Sequence, residues 1–378
     1  MTSVLLHYSE LHHGSHNQLI DEVPPPAKGR LDAIIVPTIH DADTLRDSLQ
    51  LASDLRRPLV ALCSRQAQAR ELIALSYRYG TDVLAIDLHE ASARMPAFRA
   101  DDALGESEFA SASDLSLKRN LGLLISRGAG WERVLFLDDD IIGVVREEIE
   151  GAAAVLDSGR YRAVGLLNEG FPDNSVVCHA NREMGGRQDS FIGGGAMIVD
   201  PLATRSFFPN IYNEDWFFLL GDNWPFRAAR SGRMTQRRFD PFANPRRAED
   251  EELGDTLAEG LFCLLDDGER PQWGDKACWA DFLFRRRCFL ECLLAEVDAA
   301  DMDGGRRTQM TNSLKAARGA SAFITPYLCN AFLQGWRSDL RTWDIFLEGF
   351  PTTGGTGKAL AELGLAHVAH YSRPEESW

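Results

Sequence analysis

The segment Val134-Leu-Phe-Leu-Asp138-Asp139-Asp140-Ile-Ile142 joins a run of four apolar residues directly to three consecutive carboxylates. The apolar run predicts a short strand that is buried on both faces. Adjacent carboxylates repel one another, so we expect either a bound cation or wide solvation around them. If the extended geometry continues, Asp138 and Asp140 project to the same side while Asp139 points elsewhere. Such a pair suits a Mg²⁺ or Mn²⁺ ion completed by diphosphate oxygens and water; the alternative is an acidic turn that merely follows a strand.

Similar apolar runs occur on both sides of this segment and alternate with segments of helical periodicity. This alternation predicts an α/β fold with a Rossmann-like nucleotide-binding sheet of mostly parallel strands. Ligands of such sheets bind at the carboxyl ends of the strands, where the three carboxylates lie. The predicted strands are residues 33–36, 59–63, 83–88, 134–137, 163–167 and 196–199. The predicted helices between them are 41–55, 66–79 and 113–127, and residues 168–190 are predicted to be a loop.

The composition divides the chain into three parts. Residues 1–30 are expected to be an N-terminal extension, because three histidines (His12, His13 and His16) and three consecutive prolines precede the first core segment. Those histidines could ligate a metal, but a short His-rich stretch is usually solvated. Residues 31–245 are predicted to form the catalytic domain. Residues 246–378 are predicted to be a helical region with helices at 248–266, 275–298 and 320–348, which shapes an acceptor site or forms a homodimer contact.

Charge and cysteine content narrow the classes of protein to consider. The chain has 378 residues and a formal net charge of −16, which disfavours nucleic acid and anionic membrane as partners. Its seven cysteines form no CxxC pair, and their odd number cannot close completely into intramolecular disulfides. No apolar run approaches the length of a membrane span, so a cytoplasmic protein is expected.

Several short motifs of the chain together resemble those of metal-dependent glycosyltransferases with the GT-A fold, most nearly the large family 2 group. The likeness extends over about residues 31–240, and it depends on the order and spacing of the motifs because each one is short. The matching segments are Ile35-Val36-Pro37-Thr38, Lys118-Arg119-Asn120, Asp138-Asp139-Asp140, Phe191-Ile-Gly-Gly-Gly-Ala-Met197 and Asn213-Glu214-Asp215-Trp216.

The resemblance implies a metal-dependent, inverting transfer from a nucleotide-sugar donor to a hydroxyl group. The donor would be a UDP-, GDP- or dTDP-sugar, and the acceptor a small molecule or a soluble glycan. Because the chain lacks the Gln-x-x-Arg-Trp motif of processive polysaccharide synthases, a single, non-processive transfer is favoured. The metal ligands implied are Asp138 and Asp140, with His367 as a further ligand slightly ahead of His370.

On the donor side, the resemblance assigns nucleotide contacts to the ends of the first two strands. These are Pro37, Thr38, Ser64 and Arg65, together with Lys118, Arg119, Asp138 and Asp139 near the carboxylates. The sequence departs from the family at Ser64 and Arg65, where an acidic residue often reads the base. Asp87 is a candidate for that role, although a carboxylate at a strand end also caps the next segment.

On the acceptor side, the resemblance places Gly193, Gly194 and Gly195 beside the transferred sugar. Three adjacent glycines permit a close approach of the backbone to a ligand, whereas the alternative is a bulge or a tight turn. Asp215 inherits the role of general base for the acceptor hydroxyl, supported by Glu214. The alternative is an ordinary helix start with Asn213 as its cap.

Three other functions fit parts of the pattern. A haloacid-dehalogenase-like phosphatase also has a strand that ends in Asp-x-Asp, here Asp138 and Asp140, but its motif lies on an early strand. A nucleotidyltransferase needs a Gly-rich loop after its first strand, and Pro37-Thr-Ile-His-Asp41 lacks one. A catalytically silent sugar-nucleotide-binding protein remains the alternative from another class.

Overall fold

The computed structural model describes residues 11–374 apart from 26–27, 90–91, 106, 108, 111–112, 173, 222–225, 269–275 and 353–354. The strands are β1 (Ile20–Glu22), β2 (Ala33–Thr38), β3 (Leu59–Cys63), β4 (Val83–Asp87), β5 (Val134–Leu137), β6 (Ile141–Ile142), β7 (Ala163–Asn168), β8 (Ala196–Val199), β9 (Ala228–Gln236) and β10 (Ala369–Tyr371). The helices are α1 (Arg46–Leu55), α2 (Ala69–Ser76), α3 (Arg99–Leu104), α4 (Leu115–Ala129), α5 (Arg146–Leu156), α6 (Val176–Glu183), α7 (Glu214–Gly221), α8 (Pro245–Asp266), α9 (Lys276–Ala299), α10 (Gly304–Phe323), α11 (Pro326–Gly349) and α12 (Gly355–Leu363).

The ten strands within the described residues form one mainly parallel sheet in the order β1-β9-β7-β8-β5-β2-β3-β4-β10, with β6 paired to β9. β5, β2, β3 and β4 are consecutive parallel neighbours, and β8 and β10 run antiparallel to theirs. The carboxyl ends of those four parallel strands therefore meet at one edge. The predicted α/β fold with a mainly parallel sheet and a helical C-terminal region is confirmed.

The strands formed as predicted because their apolar residues are buried on both faces. Every residue of β2, β3 and β5 is buried. One face packs against α1, α2 and α5. The other face packs against α4, α7, α8, α11 and α12, whose apolar side chains form the largest core cluster. The helical C-terminal region thus supplies part of the layer that covers the sheet.

The three predicted C-terminal helices correspond to α8, α9 and α11, but the third was predicted to begin at 320 and begins at Pro326. α10 ends at Phe323 and α11 begins at Pro326, with the Thr325 side chain accepting a hydrogen bond from the Leu328 N–H. Proline lacks an N–H and is favoured in the first turn, so it begins a new helix here instead of extending the previous one. The sequence analysis also missed most of α10. None of the helices in the described ranges is long and apolar enough to cross a membrane.

Two predictions about irregular segments are also wrong. The stretch at 168–190 contains α6, whose first turn is capped by the Ser175 side chain. The histidines of the N-terminal extension are not all solvated, because His16 is buried. The extension also contributes the edge strand β1, which pairs with β9. Residues 1–10 and 26–27 of that extension lie outside the described residues. The domain boundaries at 30 and 245 stay predictions.

Candidate active site

The predicted donor residues lie at the common edge formed by the carboxyl ends of the parallel strands. Thr38 is the register partner of Cys63, which in turn is the partner of Asp87. The Ser64 N–H continues the pairing by donating to the Thr38 carbonyl at 3.2 Å. Arg65 follows with a φ of 55°, a left-handed conformation that turns the chain towards α2. Thr38, Ser64, Arg65 and Asp87 are therefore brought to the same edge of the sheet, with Thr38 on the strand next to β5 and Asp87 three strand positions from β5.

The residues Asp138-Asp139-Asp140, here called the acidic turn, do not continue the extended geometry of β5. The Asp138 N–H donates to the Gly195 carbonyl at 2.9 Å, and the Ile141 N–H donates back to the Asp138 carbonyl at 3.2 Å. The turn separates the three carboxylates. Asp139 accepts hydrogen bonds from Thr38 Oγ1 at 2.6 Å and from His40 Nδ1 at 2.9 Å. Asp140 accepts one from Gln236 Nε2 at 2.9 Å, and Asp138 faces Arg119.

Arg119 joins the acidic turn to the start of α7. Its Nη2 donates to both oxygens of Asp138 at 2.9 and 3.0 Å, and its Nη1 donates to the Glu214 carboxylate. The Arg119 side chain is buried, as is Glu214. Removing one partner of a buried ion pair is costly, because it leaves the other charge uncompensated. Arg119 therefore holds the side chains of Asp138 and Glu214 in position. The sequence analysis predicted a nucleotide contact for Arg119 and did not anticipate this bridge.

Burial makes it harder to ionise two carboxylates of the acidic turn, Asp138 and Asp140. It raises the pKa of Asp138 to about 6, against the pull of Arg119 and with the repulsion of Asp140. Burial also raises the pKa of Asp140, against its hydrogen bond from Gln236, and raises that of Glu214 beside Arg119. Each of these carboxylates would be more easily ionised with a further cation nearby.

The acidic turn fits a hard divalent cation that is held by few protein ligands. Among the described residues, the groups of three ligand atoms within 4.8 Å of one another do not include the acidic turn. Mg²⁺ and similar ions are usually bound by one or two carboxylates, with substrate phosphates and water completing the sphere. Two half-buried carboxylates with raised pKa values, Asp138 and Asp140, provide such a partial set of oxygen ligands.

Lys118 lies next to the predicted donor residues, but its ammonium group is buried among protein partners. It donates to the Thr38 carbonyl at 2.8 Å and to Ser64 Oγ at 2.7 Å, and its Nζ lies 3.1 Å from Asp114 Oδ1. Burial lowers the pKa of Lys118, against the opposing effect of Asp114. Lys118 therefore holds the ends of β2 and β3 together.

Asp87 and the two late histidines lie away from the acidic turn. Asp87 Oδ1 accepts a 2.9 Å hydrogen bond from the Ala69 N–H at the start of α2, which is the capping arrangement that the sequence analysis left open. His370 Nε2 is 3.7 Å from Asp87 Oδ2. His367 lies in the 3₁₀ turn Ala366–Val368 just before β10. Since β10 is four strand positions from β5, at about 4.8 Å per position, the structure does not bring His367 to the acidic turn.

The residues Gly193, Gly194 and Gly195, here called the glycine loop, lie between Arg119 and Asp215. A Cβ on Gly194 would lie 2.3 Å from the guanidinium carbon of Arg119, and one on Gly193 would lie 2.7 Å from Asp215 Oδ2. The glycines thus permit a close approach to protein side chains, and the predicted approach to a ligand stays a prediction. Asp215 Oδ2 accepts a 2.6 Å hydrogen bond from the Gly194 N–H, and its Oδ1 accepts one from the Trp216 N–H at 2.9 Å.

A cleft of about 210 Å³ opens between these groups and the helices opposite them. One wall carries Arg119, Asp138, the glycine loop, Glu214 and Asp215. The cleft is also lined by residues that were not predicted from the sequence, namely Ser175 and Cys178 at the start of α6, Asp255 and Glu259 on α8, and Gln236 beside Asp140. One feature of the sequence could have indicated those on α8, because acidic residues recur along this helix at helical intervals. Gln236 lies at the end of β9, whose polar sequence gave no strand signal.

Comparison with known proteins gives similarity at the level of solved structures. No protein-family model matches the chain, and no curated protein matches it. It is similar to a mannosyltransferase from Pyrobaculum calidifontis in complex with GDP-Man and Mn²⁺, at 14% identity and a TM-score of 0.44 over 88% of this chain and 93% of that chain. It is also similar to glucosyl-3-phosphoglycerate synthase from Mycobacterium tuberculosis in complex with Mn²⁺, uridine-diphosphate and phosphoglyceric acid, at 15% identity and a TM-score of 0.38 over 71% and 84% of the two chains. At such low sequence identities and TM-scores, the similarity does not indicate the activity of this chain.

Proposed function

We propose that this protein is a metal-dependent glycosyltransferase that moves a sugar from a nucleoside-diphosphate sugar to a hydroxyl acceptor. The observation that carries the proposal is that one cleft joins two separate carboxylate groups. Asp138 is at the carboxyl end of a parallel strand, and Asp215 is at the first turn of α7. Ligands of open α/β sheets bind at such strand ends. A transfer that binds an anionic leaving group and deprotonates a hydroxyl needs both groups.

The donor is expected to lie along the edge formed by β2, β3 and β5. Pro37, Thr38, Ser64 and Arg65 lie at the ends of neighbouring strands there, and they are proposed to contact the base and ribose of a UDP-, GDP- or dTDP-sugar. The network of Lys118 with the Thr38 carbonyl and Ser64 Oγ supports a fixed edge for this purpose. Asp87 is less suited to reading the base, since one of its oxygens already caps α2.

The diphosphate is expected to bind next to the acidic turn through a Mn²⁺ or Mg²⁺ ion held by Asp138 and Asp140. When bound, such an ion neutralises the negative charge that develops on the departing nucleoside diphosphate. Asp139 is already bonded to Thr38 and His40, so it fixes the turn against the end of β2. Arg119 holds Asp138 in place and adds positive charge to this wall of the cleft.

Asp215 is proposed to be the general base that takes the proton from the acceptor hydroxyl in an inverting transfer. Each of its oxygens accepts one backbone hydrogen bond, and a carboxylate oxygen can accept a second. The side chain is therefore fixed in orientation while it retains sites for the hydroxyl. Glu214 is turned to Arg119 instead, so its role is to position the start of α7.

The phosphatase alternative is less consistent with the observed contacts. It requires the Asp138 carboxylate to attack phosphorus, and the pairing of both its oxygens with the Arg119 guanidinium draws electron density from them and makes them weaker nucleophiles. The silent sugar-nucleotide-binding alternative predicts the same ligands as the transferase and differs only in turnover.

A panel of UDP-, GDP- and dTDP-sugars tests the proposal by thermal shift with Mn²⁺ and with EDTA. A ligand that binds the folded state raises the melting temperature by mass action. We expect at least one nucleotide sugar to stabilise the protein only with Mn²⁺, and that sugar to be consumed slowly to nucleoside diphosphate. If no member of the panel shifts the melting temperature in Mn²⁺, the proposal is wrong. Stabilisation without turnover in the presence of acceptor mixtures would support the silent binding protein.

A further inference from the structure

A second group of metal-ligating side chains lies where the N-terminal segment packs on the end of α8. His13 Nε2 is 2.8 Å from Asp266 Oδ2, and His16 Nδ1 contacts the same oxygen. The three donor atoms lie within 4.8 Å of one another. We call His13, His16 and Asp266 the His cluster. It contains none of the residues of the acidic turn or of the donor edge.

The groups around the His cluster form hydrogen bonds that fix the orientation of its ligand side chains, as is usual at known metal sites. The other ring nitrogen of His16, Nε2, lies 3.0 Å from Glu259 Oε2. Gln18 Nε2 donates to the second oxygen of Asp266 at 2.7 Å. Histidines that bind a metal almost always donate their free N–H to a carboxylate or carbonyl, which fixes the ring and its tautomer.

We propose that His13, His16 and Asp266 bind a transition-metal ion, with Zn²⁺ the best fit. Two imidazoles and one carboxylate form a ligand set that suits Zn²⁺ and not the all-oxygen preference of Mg²⁺ or Mn²⁺. In tetrahedral Zn²⁺ with bonds of about 2.0–2.1 Å, donor atoms lie roughly 3.3 Å apart. The observed 2.8 Å between His13 Nε2 and Asp266 Oδ2 therefore needs a small separation to admit the ion.

The partial exposure of His13 would let an ion reach the His cluster from solvent, and it would leave the fourth coordination position of that ion open to water. Its side chain is 40% exposed, whereas those of His16 and Asp266 are buried. His13 and Gln18 also line a cavity of about 510 Å³ at the surface of the N-terminal segment. Water would fill the fourth place on that side. The charge of Asp266, together with that of Glu259 behind His16, balances a divalent ion.

Two other ligand groups lie close to the His cluster, one of which shares His16 with it, and they are weaker candidates. His16, Glu259 and Cys263 form a group on the opposite side of the His16 ring, and His12, Cys178 and Glu259 form another. Each offers only one imidazole, and neither includes the exposed His13. Glu259 belongs to both of these groups. We therefore assign it to the His cluster as the hydrogen-bond acceptor for His16 Nε2.

The ion would fix the N-terminal segment against one wall of the cleft. The His16 ring meets Trp216 edge-on at 5.5 Å between centroids, and it meets Phe191 at 6.2 Å. Trp216 follows Asp215 in α7, and Phe191 lies two residues before the first glycine of the glycine loop. The proposed Zn²⁺ is thus a structural ion that supports residues next to the candidate base, without contact to a substrate.

Calorimetry with ZnCl₂ on untagged, chelator-treated protein tests the proposal, and Co²⁺ substitution provides a spectrum. We expect one equivalent of Zn²⁺ to bind and raise the melting temperature, and Co²⁺ to give visible ligand-field bands of a four-coordinate site. His13→Ala and Asp266→Asn should lose this binding. Glu259→Gln should weaken it about 10 to 100-fold, as loss of a second-shell partner does.

Three controls make the result decisive. Cys263→Ser should keep wild-type affinity, because Cys263 belongs only to the competing group on the other side of His16. Asp140→Asn should also keep Zn²⁺ binding, so a failure of the proposed transferase activity would not imitate a failure here. Circular dichroism confirms folding, and His13→Ala is the informative variant because its side chain is half-exposed. The proposal is overturned if the wild type binds no Zn²⁺, or if Cys263→Ser loses the ion while His13→Ala keeps it.

Discussion

The backbone N–H of Gly194 donates a 2.6 Å hydrogen bond to the carboxylate of Asp215. This bond fastens the glycine loop to the first turn of α7. Arg119 continues the connection, because it packs against Gly194 and bridges Glu214 to Asp138. The candidate base and the acidic turn are therefore parts of one hydrogen-bonded unit, although 77 residues separate them in sequence.

Asp215→Asn should reduce transfer to the acceptor by about 10² to 10⁴-fold, the usual effect of removing a positioned general base. Donor and metal affinity should change little, because these are assigned to the acidic turn and the donor edge. The measurement is steady-state turnover, together with calorimetric titration of the nucleoside diphosphate in Mn²⁺.

Glu214→Gln is the matched control for this prediction, because Glu214 is adjacent in sequence but faces Arg119. We expect a loss of stability, since one partner of a buried charge pair becomes neutral, and a smaller loss of turnover. A folded Asp215→Asn variant with near wild-type turnover would remove Asp215 from the mechanism.

Gly194→Ala should destabilise the protein, whereas Gly195→Ala should be close to neutral. The Cβ of an alanine at 194 would lie 2.3 Å from the Arg119 guanidinium, but the nearest atom to a Cβ at 195 is 3.5 Å away. Overpacking of a closely packed site costs about 1–3 kcal/mol. Urea denaturation measures the difference between the two variants. Equal free energies of unfolding would show that Arg119 moves aside without cost.

The fold could be predicted from the sequence where local pattern and burial agree. β2, β3 and β5 are runs of apolar residues that are buried on both faces, so their pattern was sufficient. β9 reads AARSGRMTQ, and its stability comes from pairing with β1 on one side and β7 on the other. Nothing in its own residues indicates that pairing.

The candidate site was predictable at the strand ends and unpredictable across the cleft. The position of Asp138 followed from the strand that precedes it, and the sequence order placed Thr38 and Ser64 near it. The bridge by Arg119 depends on how α4 packs against α7, which no spacing along the chain specifies. The cleft is also lined by Ser175 and Asp255, 80 residues apart, which meet through the packing of α6 on α8.

Nucleoside diphosphate should bind much more tightly with Mn²⁺ than with EDTA, and Asp140→Asn should reduce this difference most. The reason is that the diphosphate and the carboxylates repel each other unless a cation lies between them. Calorimetry in both conditions measures the effect. His367→Ala is the control and should keep the full dependence on Mn²⁺, because His367 lies beside β10 at the far edge of the sheet. Equal affinity in EDTA and in Mn²⁺ would contradict the metal bridge.

His179 should make the protein less stable as the pH falls below about 6.5, the ordinary pKa of histidine in an unfolded chain. Its ring is buried and stacked on Phe171 with 5.0 Å between centroids, and its Nε2 has no hydrogen-bond partner among the described residues. Burial, together with the positive charge of nearby arginines such as Arg182, lowers the pKa of His179 to about 3.

The direction in which the free energy of unfolding changes with pH follows from the number of protons bound in each state. Between pH 6.5 and 3 the unfolded chain binds a proton at this residue that the folded protein does not, so the free energy of unfolding falls as the pH is lowered. One group contributes at most about 1.4 kcal/mol per pH unit. His179→Phe keeps an aromatic ring against Phe171 and removes the titration. Urea denaturation of both proteins from pH 7.5 to 4.5 should therefore give a stability difference, wild type minus variant, that is constant above pH 7 and shifts steadily in favour of the variant below pH 6. Because other groups titrate equally in both proteins, a difference that stays constant over the whole range would show that His179 is protonated in the folded state as readily as in the unfolded chain.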